Sequence, residues 1–456
     1  MFLKKVESEG LAHYSYIIGQ GRQAAVIDPR RDCQVYLDLA MEQGFRITHI
    51  FETHRNEDYV IGSLPLAELT GAQIFHGEEL PFAYGKTARE GDVFELGNVR
   101  LKCLKTPGHT FESISLAVYD SAYGIHAAGV FTGDVLFVGD VGRTDFFPGR
   151  ERETAGLLYD SIFEKLLPLG DQAVIFPAHG AGSVCGAGMA QRRFSTIGFE
   201  RLNNPLLQFR SREDFIEHKI QEEHARPPYF SRMEEYNLNG PPAVNSAGRL
   251  DPLDADEFDK AIQEGCQVLD IRSAQAFAGV HIPGSLSIPL DMVPLYAGWF
   301  LDMDRDVLLV SEGLDEVESA GTYLMRIGFD AVRGYLHGGV SKWEVQGKYF
   351  DTVPAIYAGT IQTRISEKQA FTLLDIRSRH EFTREHLPGA QNIFLGDLPQ
   401  RLNEIGPDRP VTTFCGSGQR AMIAASILLK HGFKEVENCF GSLQACAGGV
   451  CELISS

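Results

Sequence analysis

Residues 269–290 read LDIRSAQAFAGVHIPGSLSIPL, and residues 374–395 read LDIRSRHEFTREHLPGAQNIFL, an offset of 105 positions. Further on, RIGF at 326–329 and KHGF at 430–433 correspond at an offset of 104, so one residue is lost between the two markers. A period this long exceeds the ~20–50 residues of a stacked repeat and requires two tandem small domains, each with its own core. The residues ahead of the repeat then form a third, larger domain. Turn-rich NGPPAVNSAG at 239–248 separates it from the first copy, and YFDTVPAIYAG at 349–359 marks the boundary between copies. The expected division is 1–238, 249–350 and 358–456, in keeping with roughly 100–200 residues per domain in a chain of 456.

Short runs rich in branched residues punctuate the front domain: AAVID (24–28), ITHIF (47–51), VRLKCLKT (99–106) and AVIFPAH (173–179). These read as strands. They alternate with helical stretches such as DCQVYLDLAMEQG (32–44) and AGLLYDSIFEKLLPL (155–169). The chain is therefore an α/β multi-domain protein, and its polar clusters fall at strand ends, where such folds place their chemistry.

A formal net charge of −19 lacks the basic footprint that nucleic acids or anionic membranes require. No run approaches the ~18 apolar residues of a membrane span, and the polar, charged start MFLKKVESEG has no signal-peptide pattern. Eight cysteines are scattered without the spacing of a disulfide framework. Reduced thiols and a cytoplasmic location are the expectation, and any special cysteine is then catalytic before it is structural.

Copy two contains VTTFCGSGQRAMIAASILLKHGF at 411–433. An apolar strand runs into Cys415, a turn of small residues follows, and a helix begins near Arg420. Gly416, Ser417, Gly418 and Gln419 let backbone N–H groups curl around the sulfur. The helix N-terminus and Arg420 add positive potential, which favours a nucleophilic thiolate. Copy one has Ser311 where copy two has Cys415, and Glu316 where copy two has Arg420. A hydroxyl cannot carry a persulfide and added acids repel a thiolate, so copy one is read as a non-catalytic spacer, with Cys266 a core thiol.

These stretches, with His386, Pro388 and Gly389 in copy two and His281, Pro283, Gly284 and LHGGVSKW (336–343) in copy one, resemble the rhodanese family of sulfurtransferases. The resemblance implies that Cys415 carries sulfur as a persulfide, cradled by residues 415–420, with sulfite, thiosulfate or a thiol as exchange partner. Cysteine phosphatases also set Cys and Arg around an anion-binding loop, but with five intervening residues, whereas this loop has four.

Four polar clusters in the front domain each follow an apolar run: THRNED (53–58), TPGHT (106–110), FTGD (131–134) and PAHGAGS (177–183). In this order they resemble the metallo-β-lactamase superfamily, which implies an αββα sandwich ahead of the two rhodanese-like domains. Matched by position, one metal would take His54, Asn56 and His109, and a second Asp58, Tyr59 and His179, with Asp134 between them. Asn56 and Tyr59 each remove an imidazole, and neither an amide nor a phenol is a good zinc ligand. His54, His109 and Asp134 remain, a two-histidine, one-carboxylate set that suits mononuclear non-haem Fe(II) and O₂.

VIDPRRD (26–32), FTGDVLFVGDVGRTD (131–145) and FPAHGAGSVCG (176–186) are similar to the persulfide dioxygenase branch. The resemblance implies one Fe(II) per chain, with zinc the alternative, and oxidation of a low-molecular-weight thiol persulfide such as glutathione persulfide by O₂ and water to thiol and sulfite. Asp58 and His179 are expected behind the ligands, Asn56 beside bound water or O₂, and Arg143 either on substrate carboxylates or in a salt bridge. Two other readings stand: a zinc thioester hydrolase of the glyoxalase II kind, and a metal-free front scaffold beside an active Cys415. A homo-oligomer, dimer or tetramer, is compatible with each. Cys439, Cys446 and Cys451 match no metal spacing and are expected to be core or surface thiols, while Cys185, in the GSVCG loop after His179, is expected near the metal entrance with its role open.

Overall fold

Strand His13–Gln20 sends Tyr16 and Ile18 to one side and Ile17 to the other, and strand Gln23–Ile27 alternates in the same way. This two-residue period puts apolar side chains on both faces, so the sheet must be covered twice. In the computed structural model, which describes residues 1–183, 186, 188–243, 250–406 and 408–455, it is. The inner residues Tyr16, Ile18, Ala25, Ile27 and Phe51 meet Leu101, Leu116, Val118 and Phe131 of a second sheet. The outer residues Ile17, Ala24, Val26 and Ile50 pack on helices Gln34–Gln43 and Ser63–Thr70 through Tyr36, Ala40 and Leu66. The second sheet buries its own outer face, Ala117, Val130 and Ile175, beneath helix Glu151–Asp160 and the turns that follow it. Four layers result, an αββα sandwich with six strands in each sheet.

Contacts divide the chain into two compact units, Met1–Asn245 with Met325–Gly328, and Ser246–Leu324 with Phe329–Ser456. In the second unit two five-stranded sheets share one strand order. One runs Asp251–Leu253, Val332–Leu336, Val307–Val310, Gln267–Asp270, Leu286–Ser287. The other runs Ala355–Ile356, Val436–Cys439, Val411–Phe414, Thr372–Asp375, Gln391–Asn392. All pairings in both are parallel, and Cys415 and Ser311 each follow the carboxyl end of the central strand.

The repeat serves as its own control. Arg377 forks onto Asp375 and reaches the carbonyl of Glu385, and Arg272 forks onto Asp270 and reaches that of Val280. His386 and His281 lie face to face with Phe382 and Phe277 and bond their carbonyls. A feature built identically around a cysteine and around a serine is structural, so LDIR and the His-x-Pro-Gly motif hold the fold.

The expected strands lie within a residue or two of those observed. The helix expected over 155–169 begins earlier, at Glu151, with Glu151 and Glu153 in its first turn, where acids favour a helix start. One expectation is corrected: Cys446 and Cys451 form a disulfide, with Cα atoms 4.8 Å apart. Gly449, at φ 84°, folds the chain back so that two cysteines five residues apart can meet. Cys33, Cys103, Cys266, Cys415 and Cys439 are free and buried. Cys185 and residues 244–249 of the linker lie outside the described residues. No helix among the described residues is long and apolar enough to cross a membrane.

Candidate functional site

Strand Arg46–Phe51 opens into a buried loop that Thr53 anchors. Its N–H and its hydroxyl donate to the Asp28 carboxylate at 2.7 and 2.8 Å. With its proton given to Asp28, the Thr53 oxygen accepts from Nδ1 of His54 at 2.9 Å. That leaves Nε2 of His54 a bare lone pair. His109 is fixed in the same sense, its Nδ1 donating to the carbonyl of Arg143 at 3.0 Å. Such outer bonds set the tautomer and aim of a ligand imidazole.

The two Nε2 atoms are buried and lack hydrogen-bond partners. They lie 3.7 Å (His54) and 3.6 Å (His109) from Oδ2 of Asp134, and the three ligand atoms are within 4.8 Å of one another. Burial pushes His54 down to about 4, which keeps it neutral. Burial alone would raise Asp134, but His179 and His54 outweigh it and hold the carboxyl well below its usual range. Two orphaned lone pairs facing a buried carboxylate are costly without a cation between them. The set therefore fits a divalent metal.

The remaining expected residues surround this cluster. His179 donates from Nδ1 to both oxygens of Asp134, at 2.8 and 2.9 Å, while its Nε2 lies 3.1 Å from Asp58. Its ring therefore lies between two carboxylates. Asn56 spends its amide on the carbonyl of His54 at 3.2 Å. Tyr59 is fully buried against the His13 ring, 3.9 Å between centroids. The Arg143 guanidinium is buried, forked onto Asp145 at 2.7 Å and bonded to the carbonyl of Ala225.

Several groups escaped the motif reading. Glu57 is wholly buried, one oxygen 3.7 Å from Nε2 of His109 and the other 3.3 Å from Arg55. Burial alone would lower His109, but Glu57 and Asp134 outweigh it and raise it. Asn237 of helix Phe230–Asn239 pins the ligand loop from behind, as do His13 and the hydroxyl of Tyr229 on the carbonyl of Asp58. Beside His179 a cavity of about 210 Å³ is walled by Tyr14, Tyr16 and Phe176, with Arg192 and Arg193 in its lining.

In copy two the loop after Phe414 is held open from outside. The carbonyls of Cys415, Gly416, Ser417 and Gly418 each accept a hydrogen bond, from Leu443, Gln444, Gly441 and the Asn438 side chain. Ser442 accepts the N–H of Cys415 at 3.2 Å. With the carbonyls tied outward, the N–H of Gly418 reaches Sγ at 3.1 Å. Gly418 sits at φ 97°, a conformation open to glycine and strained for other residues. Arg420 forks onto Glu381 at 2.9 and 2.7 Å. In copy one Ala276 stands at the position of Glu381, and Glu316 accepts the N–H of Glu312 instead. Cysteine, arginine and glutamate are lost together.

Residues 9–179 match the Metallo-beta-lactamase superfamily, and residues 254–346 and 358–447 each match the Rhodanese-like domain. The mitochondrial persulfide dioxygenase ETHE1 of Bos taurus is 31% identical over 222 residues, which are 44% of this chain and 74% of that protein. The hydroxyacylglutathione hydrolase GloC of Haemophilus influenzae is 29% identical over 219 residues, 43% of this chain and 93% of that protein. A crystal structure of a metallo-beta-lactamase from Staphylococcus aureus subsp. aureus COL superposes with a TM-score of 0.67 at 32% identity, covering 74% of this chain and 99% of that one. The chain belongs to the metallo-beta-lactamase superfamily: it joins a domain of that fold, like those of the ETHE1-type persulfide dioxygenases, to two rhodanese-like domains.

Proposed function

We propose that the front domain is a non-haem Fe(II) persulfide dioxygenase that oxidises a low-molecular-weight thiol persulfide to sulfite, and that Cys415 is a rhodanese sulfurtransferase working beside it. The observation that carries the reading is the paired orphan Nε2 atoms of His54 and His109 facing Asp134. These three residues would hold Fe(II), which would supply the O₂ chemistry needed to oxidise a persulfide sulfur.

The chain's own groups do the rest. Thr53 and the Arg143 carbonyl keep both imidazoles in the ligand tautomer, and His179 holds the Asp134 carboxylate in place. The cavity beside His179 combines aromatic walls with two arginines, which suits a thiol carrier bearing carboxylates, such as glutathione. At Cys415, the thiolate attacks the sulfane sulfur of a donor, and the donor's other fragment leaves with the bonding electrons. In the return step sulfite takes the outer sulfur, the S–S bond breaks onto Cys415, and thiosulfate departs. Fusion keeps two handlers of sulfane sulfur on one chain and raises the local concentration of what they share.

The similarity to the Haemophilus hydrolase makes a zinc thioester hydrolase the second reading. Asn56 and Tyr59 speak against it, because an amide and a phenol are poor zinc ligands and stand where a two-zinc site needs imidazoles. The test is a pair of variants. His54→Ala removes iron and O₂ uptake and spares sulfur transfer, whereas Cys415→Ser does the reverse. Two zincs per chain, with thioester cleavage, would favour the second reading.

A further inference from the structure

Both repeats end in the same turn, and each closes it differently. In copy one, helix Gly339–Val345 carries Trp343, whose indole N–H donates to the carbonyl of Tyr349 at 2.8 Å across a turn at Gly347, φ 70°. Counting from Gly338 and Gly441, Cys446 stands where copy one has Trp343; counting from Gly347 and Gly449, Cys451 stands where it has Tyr349. There the Cys446–Cys451 disulfide spans the turn. Trp343 and Cys446 are buried alike, each in the core of its own copy. The copy without a nucleophile uses a closure that thiols cannot open, and the copy with Cys415 uses one that they can.

The disulfide also joins the two segments that shape the Cys415 loop. Directly before Cys446, Gly441, Ser442, Leu443 and Gln444 hold the backbone of Cys415, Gly416 and Ser417. Beyond Cys451, the N–H of Glu452 donates to the side chain of Gln362 at 2.9 Å, and Ile454–Ser455 pairs antiparallel with Glu385–His386. That strand directly follows helix Arg379–Arg384, which carries Glu381, the partner of Arg420. Cys451 is half-buried and residues 447–449 are exposed, so small thiols and persulfides reach the pair from solvent.

We propose that Cys446 and Cys451 are a dithiol–disulfide site that low-molecular-weight persulfides oxidise and low-molecular-weight thiols reduce, and that its oxidised form holds the Cys415 loop in shape for sulfur transfer. This rests on the sulfurtransferase reading of Cys415. In the oxidising direction the half-buried Cys451 thiolate takes the sulfane sulfur of R–S–SH, and R–S⁻ leaves with the bonding pair. The Cys446 thiolate then attacks the Cys451 sulfur, the S–S bond to the outer sulfur breaks, and hydrosulfide leaves. Two thiols and R–S–SH thus give one disulfide, R–SH and H₂S; the thiols lose two electrons and the sulfane sulfur gains them. Two molecules of a thiol such as glutathione reopen the bond and leave as glutathione disulfide. Sulfur transfer at Cys415 then rises with the ratio of persulfide to thiol.

The test uses the full-length protein without oxygen. It is equilibrated with glutathione and glutathione disulfide at graded ratios and desalted. Transfer from thiosulfate to cyanide is then assayed, while alkylation and mass spectrometry report the state of the pair. Turnover is expected to fall about fivefold as the pair opens, the effect of one weakened loop hydrogen bond. The double variant Cys446→Ser, Cys451→Ser is expected to stay at the reduced level at every ratio. Glutathione persulfide added to reduced wild type should close the pair with one H₂S per chain, which the double variant does not release. Equal turnover with the pair open and closed, a double variant that still follows the ratio, or a pair that persulfide leaves open would each overturn the inference. Thiosulfate turnover that survives Cys415→Ser would overturn the sulfurtransferase reading itself, and the inference with it.

Discussion

Asn237 donates its side-chain amide to the carbonyls of both Asn56 and Tyr59, each at 2.7 Å, and accepts the N–H of Ile61 at 2.9 Å. One residue far along the chain thus closes the loop that carries His54. Asn237→Ala leaves those buried backbone groups unpaired, which costs about 2–4 kcal/mol. The expected outcome is a lower denaturant midpoint for the front domain and reduced iron occupancy, with sulfur transfer at Cys415 unchanged. Retained stability together with full iron would mean that the loop holds its shape without Asn237.

Metal binding should release protons. His109 is raised because Glu57 and Asp134 overcome its burial, so of the two imidazoles it is the one at which a proton competes more strongly with a metal around neutral pH. His54, pushed down to about 4, is already neutral and releases none there. A raised group is protonated below its pKa, so Fe(II) affinity should climb with pH, by about tenfold per unit while His109 titrates. Calorimetry in buffers of different ionisation enthalpy should count protons released on iron binding, fewer as pH rises. Glu57→Gln should reduce that count.

The Glu381–Arg420 pair is predicted to matter for turnover and little for stability. Arg420 holds Glu381 down at about 2 despite partial burial, so the carboxylate stays charged above its unfolded value of 4.5 and loses the pair only as pH falls toward 2. The pair is part-exposed, with side chains at 25% and 38%, and pairs of this kind contribute within about 1 kcal/mol. Glu381→Gln should therefore shift the melting midpoint by little while freeing Arg420 to swing away from the loop. Thiosulfate turnover should drop several-fold, as measured by thiocyanate formation.

Much of the architecture is legible in the residues themselves. The 105-residue offset marks two domains, and period-two apolar runs place the sandwich strands. His54, His109 and Asp134 follow strand ends, so the order of their motifs groups the same three residues that the fold brings together in space. Asn237 and His13 are illegible for a physical reason: each acts through a partner remote in sequence, and alone each looks like an ordinary polar or aromatic residue. Glu381 has a usable signal, because aligning the copies sets Ala276 opposite it, beside the Ser311 and Glu316 exchanges. The Cys446–Cys451 disulfide has one too, in the Gly448–Gly449 turn between its cysteines, but a five-residue spacing matches no familiar framework.

The central claim is that His54, His109 and Asp134 hold one Fe(II) for reaction of O₂ with a persulfide. Its most direct measurement is anaerobic iron quantification followed by O₂ uptake with glutathione persulfide. The account predicts one iron per chain and one O₂ consumed per sulfite formed, both abolished by Asp134→Ala. A chain that binds no iron and consumes no O₂ with that substrate, while its sulfur transfer at Cys415 proceeds, would contradict it.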